Sequence, residues 1–352
     1  MTATGGFPAP GPQDREPPRS QWSASPSTAG FMARPQIPML AAHKPGIVPL
    51  RPLLLGDILD GAVKAVRFNP KSMVGLSAIV LAAFLVPSAA LGIAATHFGA
   101  TFLSRFGTDA QAFAGMPASL LQSLLTTLAT IFLSGVLSQV VGQAVLGRKP
   151  DIGATWQCTR GRLPSMLGLI VLTALFIVLS IALLVRPGVL LLINKSIAAG
   201  AILLFLGLAG LLVVDLFVST KISLTAPAMI LEGLRVRDGL RRSFALTKGS
   251  AFWRVLGFTL LAGLLAGIAG ALLGIPFSIA GTAIAALSGQ DNESAQMIIT
   301  FVSHLSALLT GSITTPFVAA VTGLLYIDRR MRLEALDVVL LRESQSNPPP
   351  PV

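Results

Sequence analysis

Six stretches of this chain are apolar for long enough to cross a bilayer, and that leaves few other folds open to it. A crossing helix needs about 20 apolar residues, because the hydrocarbon core is about 30 Å thick and a helix rises about 1.5 Å per residue. The stretches run over 73–98, 118–146, 165–185, 197–218, 255–287 and 296–326. Only 12% of the 352 residues are charged and the mean hydropathy is +0.76. A polar shell cannot be built from so few charges, so a water-soluble monomer is excluded. The fold class is all-α: a polytopic membrane protein with six transmembrane helices. Several stretches exceed the minimum length, and Pro87, Pro276 and Pro316 fall inside them, so kinks or tilt are expected.

The flanks differ in composition. Ten of the chain's 24 prolines lie in residues 1–49, among Gly, Ser, Thr and Ala. Such a segment buries too little apolar surface to offset its ordering entropy, so 1–50 is expected to be a disordered tail and 51–343 the membrane domain. Residues 344–352 end in Ser, Gln, Asn and Pro and form a second short tail. No secretory signal pattern precedes the first span. The single cysteine, Cys158, excludes an intrachain disulfide.

The net charge of +11 acquires meaning from its placement. Of the 26 basic residues, 23 flank the spans on one side, and only Arg105, Arg186 and Lys195 fall on the other. The positive-inside rule then places both termini in the cytoplasm of a cell-membrane protein. Nucleic-acid binding would need those charges on a folded soluble face with aromatic partners, and here they border spans. The partner expected for them is a bilayer with anionic head groups.

The chain also repeats itself. Gly75, Gly168 and Gly257 open the first, third and fifth spans, and Asp57, Asp151 and Asp238 precede them at similar separations. An acid there suits a helix start, where it opposes the positive dipole end. Each short segment after the acid is amphipathic. The clearest has Leu55, Ile58, Leu59, Ala62, Val63 and Val66 on one face against Asp60, Lys64 and Arg67. The unit is thus an interfacial helix plus a two-span hairpin, over about 51–147, 148–233 and 234–343. Parallel repeats imply an axis along the membrane normal, here a pseudo-threefold. The basic residues Lys64, Arg67, Lys71, Arg160, Arg162, Arg237, Arg241, Arg242 and Lys248 are the candidates for contact with lipid phosphates.

Several landmarks resemble a known family. Arg51-Pro52-Leu53, Gly56-Asp57-Ile58-Leu59-Asp60-Gly61 and Asn69-Pro70 are similar to its opening motif. Pro227 to Gly233, Arg241-Arg242-Ser243, Trp253 to Gly257 and Leu325 to Arg330 are similar to its later ones. The family is actinobacterial and is named for the membrane domain attached to some glycerophosphoryl diester phosphodiesterases. The resemblance covers roughly 51–337. It implies the membrane domain without the catalytic barrel, so the family's name implies no activity here.

Catalytic chemistry is not legible in the residues. Phosphodiester hydrolysis needs carboxylates and histidines gathered around a metal. His43, His97 and His304 are scattered, and no pair has metal-ligand spacing. No cofactor is expected. Two intramembrane polar residues remain as candidates. Asp215 lies within Leu211–Phe217, where an acid marks an ion path or relay, or pairs with a neighbour; Lys221 close by favours pairing. His304 is expected to bond a neighbouring Ser or Thr. Gly263, Gly267, Gly270 and Gly274 share one helix face with two GxxxG spacings, a surface for close helix approach within the chain, with a second copy or with another protein.

The function read from these features is non-enzymatic: a scaffold or accessory subunit of the cell envelope that organises protein partners or lipid. The alternative is a transporter or lipid-translocating permease, which an aqueous or lipid-sized cavity between the repeats, lined by Asp215 and the span glutamines, would favour.

Overall fold

The computed structural model describes residues 46–49, 51–103, 116–288 and 293–334. Apart from residues 46–49, the two tails expected to be disordered, and the positions of His43, Arg105 and Arg342, lie outside these residues. Among the described residues every regular element is helical: α1 Leu55–Phe68, α2 Pro70–Leu103, α3 Met116–Val145, α4 Ile152–Arg160, α5 Leu163–Leu184, α6 Arg186–Ile193, α7 Ile197–Ile222, α8 Thr225–Leu231, α9 Val236–Leu246, α10 Ser250–Ser288 and α11 Glu293–Glu334.

Six segments are long and apolar enough to span a membrane: Pro70–Ala94, Ser119–Val145, Leu163–Leu192, Ile197–Leu231, Ser250–Ile284 and Met297–Glu334. They coincide with the six expected stretches. Two carry breaks that hydropathy does not register. Pro187 stands in the first turn of α6, after Val185 closes α5. The fourth span is interrupted at Ser223 and Leu224 before α8. Pro87, Pro276 and Pro316 all lie inside continuous helices, where a helix in lipid tolerates them.

The short helices α1, α4, α8 and α9 gather at one end of the bundle, called here the basic end. The three aspartates sit at helix starts as expected. Asp57 occupies the third position of α1 and accepts a hydrogen bond from the Leu54 N–H at 3.0 Å. Asp151 is the residue before α4 and Asp238 lies in the first turn of α9. Asn69 ends α1 and opens α2: its carboxamide oxygen accepts from the Ser72 N–H at 3.2 Å, and its amide donates to the Pro150 carbonyl at 2.7 Å. Gly233 and Gly249 take positive φ of 72° and 63° where α8 turns into α9 and α9 into α10, a conformation other residues adopt at a cost.

The amphipathic faces differ from the pattern read in the sequence. In α1 the buried stripe is Ile58, Gly61, Ala62 and Ala65, while Leu55 and Val63 point outward. In α4 Thr155 and Thr159 are buried and Trp156 is exposed; in α9 Gly239 and Ser243 are buried and Phe244 is exposed. Small residues make up much of the buried stripe, where they admit close packing on the ends of the spans, together with Ile58 of α1 and Leu246 of α9.

Residues 46–49 are not part of a tail. Ile47 and Val48 are buried, and the Ile47 N–H donates to the Ala144 carbonyl at 3.2 Å. Composition placed them with the proline-rich segment, but two consecutive large apolar residues fill a site on α1, where Gly61 leaves space for Val48.

Packing is uneven. Each hairpin pairs its own helices: α2 with α3, α5 and α6 with α7, α10 with α11. In addition α2 packs on α11, α5 on α3 and α10 on α7, while α1 lies on α11, α4 on α3 and α9 on α7. The helices α2, α3 and α11 form the dense core. The apolar windows of the second and sixth spans are 61% and 56% buried, against 11% for the fourth and fifth. The poorly buried spans therefore present most of their surface to lipid.

Candidate functional site

The ends of the spans are joined by two ion networks, one centred on the buried Asp328 and one on the partly buried Glu232. In the first, Asp328 of α11 has no exposed side-chain surface and accepts from the Leu53 N–H at 2.8 Å, from Arg332 at 2.9 Å and from Arg254 at 3.2 Å. The Leu53 carbonyl in turn accepts from Arg254 at 2.7 Å and Arg332 at 2.8 Å. In the second, Glu232 accepts from Arg242 at 2.9 Å and from the Tyr326 hydroxyl, with Arg330 at 3.3 Å. Glu334 closes this set onto Arg242 and Arg330. Burial opposes the charge on Arg242, but its bonds to Glu232 and Glu334 more than reverse that, so its pKa is raised above the usual arginine value. The segments around Leu53, Glu232, Arg242, Arg254, Tyr326 and Asp328 meet in these networks. Their chemistry is structural: the carboxylates of Asp328, Glu232 and Glu334 are engaged by arginines that tie the span ends together.

Of the nine residues expected to meet lipid head groups, Lys64, Arg67, Lys71, Arg160, Arg162, Arg237, Arg241 and Lys248 are exposed near the basic end. Arg162 also donates to the Gly233 carbonyl. Arg242 is the exception, turned inward to Glu232 and Glu334. On α9, positions 241 and 242 point in directions about 100° apart, so adjacent arginines take opposite roles.

His304 is buried on α11 and bonded as expected. Its Nδ1 donates to the Thr300 carbonyl at 2.8 Å, so its Nε2 accepts from the Ser88 hydroxyl of α2 at 3.1 Å. Both ring nitrogens are used, and His304 is not brought together with Asp215.

The glycine face of α10 is split. A side chain at Gly270 or Gly274 would meet α11 at ordinary contact distance, with Thr314 at 3.9 Å and Ser306 at 3.4 Å. One at Gly263 or Gly267 would meet nothing within 4 Å, so intrachain packing does not account for those two. The close approaches lie elsewhere, between α7 and the α5–α6 arm. A side chain at Gly188 would reach the Leu204 backbone at 2.5 Å and one at Gly200 the Leu192 backbone at 2.7 Å, while Gly207 lies against the Leu184 carbonyl. Gly200 and Gly207 are two turns apart on one face of α7, a spacing present in the sequence but passed over.

Asp215 departs from its expected pairing. Lys221 instead donates to the Thr247 carbonyl at 2.8 Å and lies over the rings of Phe217, Phe244 and Phe252. Among the described residues no side chain hydrogen-bonds or ion-pairs with Asp215. Asp215 is exposed, and it lines an open groove-like cavity of about 260 Å³ where α3, α5, α7, α10 and α11 converge. Thr127, Thr130 and Ser134 come from α3, Thr173 from α5, Ser219 from α7, Ser223 from its end, Thr259 from α10 and Thr322 from α11. Ala226 of α8 adds to the lining at the basic end, with Phe176, Val218 and Val318 among the apolar walls. The cavity exists because α7 leans on α5 and α6 and makes no extensive contact with α3 or α11. It gathers a carboxylate and eight hydroxyls.

No family model, curated protein or solved structure matches this chain.

Proposed function

We propose that this protein is a non-enzymatic, multi-pass protein of the cell membrane, with both termini cytoplasmic, that carries a small solute through the cavity around Asp215. That it is an integral membrane protein follows from its six apolar helices. The carrier reading rests on one observation: an acid without a protein partner in a hydroxyl-lined cavity between span hairpins. Intramembrane acids are costly and mark solute or ion paths, and a scaffold has no use for one. The packing of each hairpin on the one before it supports the pseudo-threefold arrangement of three parallel units, with the cavity between units. The exposed basic residues flanking the spans support contact with anionic head groups.

A carrier exposes the same cavity position to both sides in turn. With Cys158 replaced by Ser, a Ser219→Cys variant in sealed vesicles should react with a membrane-impermeant maleimide applied to either face. Labelling from one face only would leave a binding pocket without carriage. No labelling would remove the aqueous cavity and the reading with it.

A second reading, an accessory subunit bound to an envelope partner or a second copy of itself, is favoured by the open face at Gly263 and Gly267. Under that reading Gly267→Leu releases a co-purifying protein or dissociates a dimer in mild detergent.

A further inference from the structure

Each of the eight hydroxyls in the cavity spends its one donor on its own helix. Thr127 donates to the Ser123 carbonyl at 2.8 Å, Thr130 to Thr126 at 2.9 Å and Ser134 to Ile131 at 2.7 Å. On the facing helices Thr173 donates to Leu169 at 2.9 Å, Ser219 to Leu216 at 3.3 Å and Ser223 to Thr220 at 2.9 Å. Thr259 and Thr322 do the same to Val255 and Val318, both at 2.9 Å. A hydroxyl has one proton to give and two lone pairs to offer. Once the proton is committed, only lone pairs face the cavity. Asp215, when ionised, likewise only accepts. The remaining lining is apolar, and no Lys, Arg, His, Asn, Gln or Trp contributes to it.

We infer that the cavity is a binding site for a small monovalent cation, either an alkali ion that keeps part of its water shell or a compact primary ammonium ion. An acceptor-only lining has no group to meet an anion, so a lipid phosphate or a carboxylate is disfavoured inside it. Neutral solutes rich in acceptors fare no better. The carboxylate supplies the opposite charge, and the surrounding oxygens replace part of the hydration shell, as oxygen ligands do for hard cations. The volume of about 260 Å³ lies below the range of about 300–1,000 Å³ usual for larger organic ligands. This assignment rests on the carrier reading for its biological use, but not for its chemistry.

The test uses the full chain in detergent and measures its melting temperature in sodium, potassium, methylammonium or N-methylglucamine chloride at equal ionic strength. A saturable rise of roughly 3 °C or more in at least one of the first three, absent in the bulky fourth, is expected. Asp215→Asn should abolish the rise while melting no lower than the parent in N-methylglucamine. Thr259→Val, which removes one oxygen and keeps the charge, should weaken apparent affinity about 5-fold; it serves as the readout if Asp215→Asn does not fold. Sodium and potassium against methylammonium separate the two sources of charge. No cation-specific rise, or a rise unchanged in both variants, overturns the inference. If Ser219→Cys is labelled from both faces while no cation stabilises, carriage stands and the cation assignment falls. If a cation stabilises through Asp215 while labelling comes from one face only, the site stands and carriage falls.

Discussion

Asp328 holds three polar partners while having no exposed side-chain surface, the Leu53 N–H and two arginines, and the same arginines also bond the Leu53 carbonyl. A buried carboxylate so fully bonded is costly to remove, since truncating it strands two guanidinium groups in a poorly solvated place. Asp328→Ala is expected to lower the unfolding free energy by about 3–5 kcal/mol, read from a mixed-micelle denaturation curve. The exposed Asp60–Lys64 pair on α1 is the internal control; Asp60→Ala should change the same quantity by about 0.5 kcal/mol or less. Neither the importance of Asp328 nor its partners can be read from sequence alone, because Leu53 and Arg254 lie 275 and 74 positions away. Local periodicity carries no information over such separations. Asp215 was visible from its apolar neighbours, but the absence of a partner depends on where Lys221 goes. That was decided by three phenylalanines from α7, α9 and α10.

At the scale of the element, the spans were legible because burial in lipid demands length and apolarity and little else. What hydropathy cannot register is a break between equally apolar pieces, such as Val185 between α5 and α6 or Leu224 before α8. The glycines show the same limit: composition marks a small residue, but only the neighbouring helix decides whether the space is used. Gly207→Leu drives a side chain into the Leu184 backbone. It is expected to cost about 1–3 kcal/mol or prevent recovery of the folded monomer, as judged by gel filtration in detergent. Gly267→Leu, projecting into open space, should leave the melting temperature of the isolated monomer unchanged within error. The short helices turn Trp156, Phe244 and Leu55 outward while burying Ile58, Met229 and Leu246 along with their small residues. A two-class hydrophobic pattern averages over that division.

Across the whole molecule, the charge asymmetry and the single cysteine provide a direct reading of orientation. Cys158 is exposed on α4 at the basic end. With the basic end in the cytoplasm, an impermeant thiol reagent should label Cys158 in inverted membrane vesicles and leave it unmodified in intact cells. The reverse pattern would invert the assignment of both termini. The lightly packed α5, α6 and α7 stand against a dense core of α2, α3 and α11, so the hairpin that carries Asp215 is also the one with least holding it in place.

The grip of α10 and α11 on Leu53 also constrains biogenesis. The chain is inserted from its N-terminus, yet the donors and acceptors that fix the segment ahead of the first span are Arg254, Asp328 and Arg332, and α2 packs on α11. The first hairpin must therefore wait in the membrane, partly unsatisfied, until the last one has been delivered. A nascent chain stalled after α7 should expose Leu53 and the face of α2 to any quality-control protease, and synthesis of α11 closes both at once.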